Sequence, residues 1–120
     1  MNIEIEKLVC DFRSAAIEKD DFAEGRRDGQ LYDSMRKAFH RLKKLGKPGE
    51  EALLKLLDDE SAHVRVWAGT AMMIDGNPKA RKVLEELASG RRGVVRLDAE
   101  ITLEEFDAGR LTEPFPGRRK

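Results

Sequence analysis

Apolar residues recur along nearly the whole chain at intervals of three and four, and almost nowhere do they alternate with polar ones. That spacing puts them on one side of an α-helix rather than on one face of a strand. The first run, Ile5, Leu8, Val9, Phe12, Ala15, Ala16 and Ile17, predicts a helix from about Ile3 to Ala23, with Gly25 at its exit. Asp28-Gly29 then opens a second helix, with Leu31, Met35, Ala38, Phe39, Leu42 and Leu45 inward. Gly46 suits the left-handed position just past its end. Pro48 starts a third helix, where its missing N–H costs nothing, and Leu53, Leu54, Leu56 and Leu57 form its buried stripe. Ser61 is a good N-cap for a fourth, with Val64, Trp67, Ala68, Ala71, Met72 and Asp75 at helical spacing. Asn77-Pro78 starts a fifth, with Val83, Leu84 and Leu87 inward. A sixth runs from about Val95 to Phe106 or Asp107, with Gly109 just beyond.

The pattern repeats. Gly46, Pro48, Leu53 and Leu57 return as Gly76, Pro78, Val83 and Leu87, each offset by 30, and Val64-Arg65-Val66, Ala68 and Met72 return as Val95-Arg96-Leu97, Ala99 and Leu103, offset by 31. Helix two fits more weakly, with Ala38 and Leu42 thirty residues before Ala68 and Met72. The six helices are therefore expected to pair as one-two, three-four and five-six, and to stack. A stacked two-helix unit is a solenoid, an architecture that more often binds than catalyses. One domain is expected over residues 1–110. An irregular tail follows over 111–120, its last residues Arg118, Arg119 and Lys120 disordered.

The unit running from Ala52-Leu53-Leu54-Lys55-Leu56-Leu57-Asp58-Asp59 to Val64-Arg65-Val66-Trp67-Ala68 resembles a HEAT-like repeat. The resemblance implies an all-α, right-handed α-α superhelix, a HEAT-like solenoid of about three hairpins. It also implies that Arg65 pairs with Asp58 or Asp59, whereas Arg96 has no acid in the equivalent turn, Ala88-Ser89-Gly90. The whole chain is similar to a small bacterial family without assigned function (domain of unknown function, number twenty-nineteen). That likeness rests on Leu8-Val9, Phe12 and Ala15-Ala16, Leu31-Tyr32, the Leu53-Leu54…Val64-Arg65 unit, and Ala99…Leu103…Gly109-Arg110-Leu111.

Composition narrows the function classes. The 120 residues carry 23 basic and 23 acidic side chains, so the chain as a whole has no net attraction for nucleic acid or anionic lipid. A single cysteine, Cys10, excludes an intrachain disulfide and suits a reducing compartment; its place in an amphipathic run predicts a buried thiol. No apolar run approaches the ~20 residues of a membrane span, and the acidic start of the chain is unlike a signal peptide, so a cytoplasmic protein is expected.

No catalytic constellation, metal site or cofactor is expected. His40 and His63 lie on different helices without a partner at ligand spacing, and His63 reads as an exposed helix-terminus residue. The adjacent acids Glu50-Glu51, Glu85-Glu86 and Glu104-Glu105 point about 100° apart on a helix and cannot converge.

Two binding readings remain. The second helices carry an outward ladder: Arg36, His40 and Lys43 on helix two, Val66, Thr70 and Met73 on helix four, Leu97 and Ile101 on helix six. It grades from basic to apolar, which implies a protein partner or weak self-association. Leu111 and Phe115 in the tail are the alternative cover for Leu97 and Ile101. The expected function is a non-catalytic protein-interaction module, monomeric or weakly dimeric, with an immunity or antitoxin-type role by analogy of fold and family. The alternative is nucleic-acid binding through the basic second helix, where Arg36, Lys37, His40, Arg41, Lys43, Lys44 and Lys47 crowd together.

Overall fold

A computed structural model describes residues 3–19, 25–113 and 115, with the side chains of Gly25 and Arg26 outside that description. The expected last turn of helix one, to Ala23, and the expected disorder of Arg118 to Lys120 fall outside these residues. Six α-helices and no strand are found among the described residues: α1 (Ile3–Lys19), α2 (Gly25–Lys44), α3 (Lys47–Leu56), α4 (Ala62–Ile74), α5 (Pro78–Ala88) and α6 (Val94–Asp107). The architecture is an all-α repeat solenoid.

The helix ends follow from local chemistry. Ser61 Oγ accepts the Val64 N–H at the start of α4, and Asn77 Oδ1 accepts the N–H groups of Lys79 and Ala80 at the start of α5. Each satisfies donors that the first helical turn leaves orphaned. The repeated glycines Gly46 and Gly76 have φ of +76° and +94°, in the left-handed region where a Cβ is costly. At Gly76 the chain closes the helix with Asn77 N–H donating to the Met72 carbonyl at 3.0 Å. One expected boundary moves: Gly25 begins α2 rather than ending α1, so Asp28-Gly29 lies inside that helix's first turns.

Packing departs from a uniform stack of three hairpins. α1 pairs with α2 and α5 with α6, as expected, but α4 packs far more extensively on α5 than on α3. The reason is local. Gly69 on α4 has no side chain, so the Leu84 side chain of α5 comes within 3.3 Å of where a Cβ would sit. α3 is only ten residues long and abuts α2 instead, with Gly49 against the Leu42 carbonyl. α1 crosses both α3 and α4, and no described part of α2 brings its Cα atoms within 8 Å of α4.

The core joins Phe12, Ala15 and Ala16 of α1 to Leu31, Met35, Phe39 and Leu42 of α2, Leu53, Leu56 and Leu57 from α3 and its end, most of α4, and Ala80, Val83, Leu84 and Ala99. Three sequence expectations are corrected here. Leu54 is 38% exposed, because the short α3 turns only Leu53 and Leu56 inward and Leu57 follows at its C-cap. Cys10, expected to be buried, is exposed on α1. Val66 and Met73, expected on an outward ladder, are each only 3% exposed. α4 is the central helix, covered by α1 on one side and by α5 and α6 on the other. A helix apolar all round is a buried helix, not a two-faced one.

Ion pairs tie the layers. Arg13 on α1 grips Asp59 in the α3–α4 turn with Nε at 2.6 Å and Nη2 at 3.2 Å. It therefore takes the place given to Arg65, whose buried Nε has no hydrogen-bond partner among the described residues. Lys79 on α5 holds the adjacent Asp58 at 2.6 Å. Arg81 on α5 makes a fork to Asp107 at the end of α6, at 2.9 and 3.0 Å.

Candidate functional site

α4 and α6 leave a groove between them. Val66, Trp67 and Thr70 form one wall and Asp98, Ile101 and Thr102 the other, around about 160 Å³. The Thr70 hydroxyl donates to the Val66 carbonyl at 2.7 Å and is thereby withdrawn from the groove's polar lining. Beside it, Val94, Leu97 and Ile101 lie along the outer side of α6 at spacings of three and four, exposed by 58%, 55% and 48%. Water meets these side chains because α6 is the last helix and has α5 and α4 on its other sides only. The Arg81–Asp107 fork fixes α6 against α5, so this surface is presented by a braced helix.

A second cleft of about 210 Å³ adjoins the first, with Trp67 and Thr70 common to both. Its lining is almost wholly apolar: Tyr32 on α2, Trp67, Thr70, Ala71 and Ile74 on α4, and Leu111 and Phe115 from the tail. Phe115 is buried and meets four rings: Phe12 at 6.0 Å, Tyr32 at 5.6 Å, Phe39 at 5.7 Å and Trp67 at 6.1 Å between centroids. The first two are edge-on and Trp67 is stacked, with 11° between planes. Such pairs add to simple area burial. The tail thus folds back, but between α2 and α4, against the Tyr32 and Trp67 rings that meet edge-on at 6.3 Å. It leaves Leu97 and Ile101 uncovered.

The expected ladder is therefore broken into separate places. Thr70 and Ile101 meet at the α4–α6 groove, with Val66 as its buried floor, and Leu97 stands on the outer side of α6. Arg36 is exposed beside the tail and donates from Nε to the Phe115 carbonyl at 3.2 Å. His40 is exposed one turn on, its ring 5.5 Å from that of Phe39. Lys43 lies elsewhere, in a recess with Leu53, Leu54, Met72 and Asn77, and pairs with Asp75 while Glu50 stands 3.7 Å away. The hydrogen bond to Asp75 holds the Lys43 ammonium above its ordinary range despite the opposing effect of burial. Met73 takes no part in any of these surfaces; it belongs to the core. His63, expected to be exposed, is half-buried in the first turn of α4.

Sequence reasoning missed the aromatic cleft around Phe115. The signal available was compositional, an isolated aromatic between two prolines in an otherwise polar tail. Periodicity cannot register it.

The basic side of α2 is partly neutralised. Arg41 pairs with Glu4 at 2.7 Å and Lys43 with Asp75, while Lys37, Lys44 and Lys47 remain exposed. No described helix is long and apolar enough to cross a membrane.

The protein-family model for HEAT repeats matches residues 34–104, from within α2 to the end part of α6 and more than half of the chain. Such repeats generally act as non-catalytic scaffolds that mediate protein–protein interaction. No curated protein and no solved structure matches the chain. A recurring Gly-x-Pro turn, a leucine-rich helix and a Val-Arg helix occur twice within the matched stretch, and the chain belongs to the HEAT-repeat family.

Proposed function

We propose that this chain is a non-catalytic protein-binding module that takes its partner on the α6 side of the solenoid. The supporting observation is the exposed apolar stripe Val94, Leu97 and Ile101 beside the α4–α6 groove. Water contact with three large aliphatic side chains in one row has no folding benefit, and such patches mark interaction surfaces. Leu97 and Ile101 are the apolar anchors and Thr70 lies at the groove wall. Arg36, His40 and Lys43 lie on α2, away from the stripe, and serve as outlying polar contacts for a partner large enough to reach them. An immunity or antitoxin-type role in the cytoplasm is the specific form of this reading, and the likeness of the chain to a small bacterial family suits it.

The test is binding to a purified partner identified by cross-linking and mass spectrometry. Ile101→Asp and Leu97→Asp are each expected to weaken it by at least about tenfold, or ~1.4 kcal/mol, with helical circular dichroism unchanged. Binding that survives both substitutions removes this face from the function. Nucleic-acid binding through Lys37, Lys44 and Lys47 is the second reading, favoured by their exposure without a carboxylate partner among the described residues. It predicts salt-sensitive binding to arbitrary duplex, lost on replacing those three lysines with Glu.

A further inference from the structure

We propose that the cleft filled by Phe115 is a receptor for a partner protein's extended segment that ends in an aromatic residue with a free α-carboxylate, and that the chain's own tail occupies it as a displaceable stand-in. Four rings from α1, α2 and α4 surround Phe115, so the cleft is shaped for one aromatic side chain. α2 and α4 make no Cα approach within 8 Å and meet through side chains, with Tyr32 edge-on to Trp67 at 6.3 Å, and Phe115 is inserted against both of those rings. An occupant from outside the helical body is therefore already built into the design.

Three observations show that the tail fits this cleft imperfectly. Phe115 has a φ of +47°, in the left-handed region that a bulky L residue rarely adopts. Arg36, at the mouth, directs its Nε to the Phe115 carbonyl oxygen at 3.2 Å, and no carboxylate among the described residues pairs with this guanidinium. A neutral carbonyl is a weak partner for a charged donor. A terminal carboxylate in the same place offers a second oxygen and a negative charge, and a charge-assisted pair is markedly stronger. The indole N–H of Trp67, whose ring stacks on Phe115, is also buried without an acceptor among the described residues. The described part of the tail thus supplies the ring but neither a charge nor a full set of hydrogen bonds. This receptor is distinct from the α6 stripe: Ile101 and Leu97 do not line it.

Trp67 is the only tryptophan, and its stacking on the occupant makes its fluorescence a direct readout. The probe is the acetylated pentapeptide of residues 111–115 with a free C-terminal carboxylate, compared with its amide. Full-length Phe115→Ala is expected to bind the acid form, to bind the amide severalfold more weakly, and to ignore a peptide in which Ala replaces the phenylalanine. The unaltered chain should bind at least about tenfold more weakly than Phe115→Ala, because its cleft is open only a fraction of the time. Adding Arg36→Gln to Phe115→Ala should erase the difference between acid and amide. Binding should be unaffected by Ile101→Asp, which separates this result from that of the α6 face.

A folded Phe115→Ala that takes neither peptide overturns the proposal. So does equal affinity for acid and amide, or equal affinity of the altered and unaltered chains. If Phe115→Ala loses its helical signal, Phe115→Leu replaces it, keeping apolar volume without the ring. Loss of the fold in both makes Phe115 a core residue rather than an exchangeable occupant, which also overturns it. A dimer of the unaltered chain that Phe115→Ala dissolves assigns the cleft to a second copy's tail instead of a partner.

Discussion

Compared with Gly46, Gly69, Gly76, Gly90, Gly93 and Gly109, Gly49 leaves the least room for a side chain. A Cβ there would fall 1.9 Å from the Leu42 carbonyl oxygen, inside any permissible contact, and that oxygen belongs to backbone that cannot swing aside. Gly49→Ala is expected to cost roughly 1–3 kcal/mol or more, the range of a forced core displacement, read from a urea melt; a loss near zero would mean that the α2–α3 corner yields freely. Asp59 is the residue whose charge matters most to the same region. Burial pushes its carboxyl up, but the Arg13 hydrogen bond, the Ser61 N–H and the charges of Arg13 and Arg65 together outweigh burial and leave it below its ordinary value. A depressed carboxyl stabilises the fold above its unfolded pKa, about 4, and that contribution disappears as pH falls through the lower folded value. Arg13→Gln should therefore flatten the loss of stability below about pH 4 and lower the plateau above it, as measured by chemical denaturation across the pH range. The Arg13–Asp59 pair was not legible in the sequence, because the two residues lie 46 positions apart. The resemblance to a HEAT-like repeat implied the local arginine, Arg65, instead.

At the level of elements, the sequence was most informative where the signal is local. Ser61 and Asn77 cap the helices they precede, and the Gly-x-Pro turns recur with both glycines left-handed. The faces of the inner helices were harder. Periodicity identifies an apolar stripe, but α4 has apolar residues on every side, so its Val66 and Met73 read as a second, outward face when they are core. α3 shows the opposite error: four leucines in five positions cannot all point inward from ten residues, and Leu54 is the one left out. Leu84→Ala is accordingly expected to cost about 2–5 kcal/mol, since Leu84 is fully buried against Gly69. Leu54→Ala should cost about 1 kcal/mol or less, in proportion to the smaller area it removes from water. Equal losses in parallel denaturation curves would contradict this division. Of the candidate site, the α6 anchors Leu97 and Ile101 were legible as outward residues. The gathering of Arg36 with the tail was not, because 79 positions separate Arg36 from Phe115.

For the whole molecule, the telling contact is the one between Phe12 and Phe115, which brings the first helix against the tail across 103 positions of sequence (115 − 12). The helices meet one another across shorter stretches of chain, and contacts within and between neighbouring hairpins form quickly. A contact spanning so long a loop bears the largest closure entropy and is made after the rest. Phe115→Leu is thus expected to accelerate unfolding while leaving the folding rate nearly unchanged, which stopped-flow traces of Trp67 fluorescence can check. A slowed folding limb would place the tail in the nucleus instead. The aromatic clasp consequently works like a latch on a hinged case: it is the last part to click shut and the first to spring open. An opening that spares the helical body would uncover a socket lined by Phe12, Tyr32, Phe39 and Trp67.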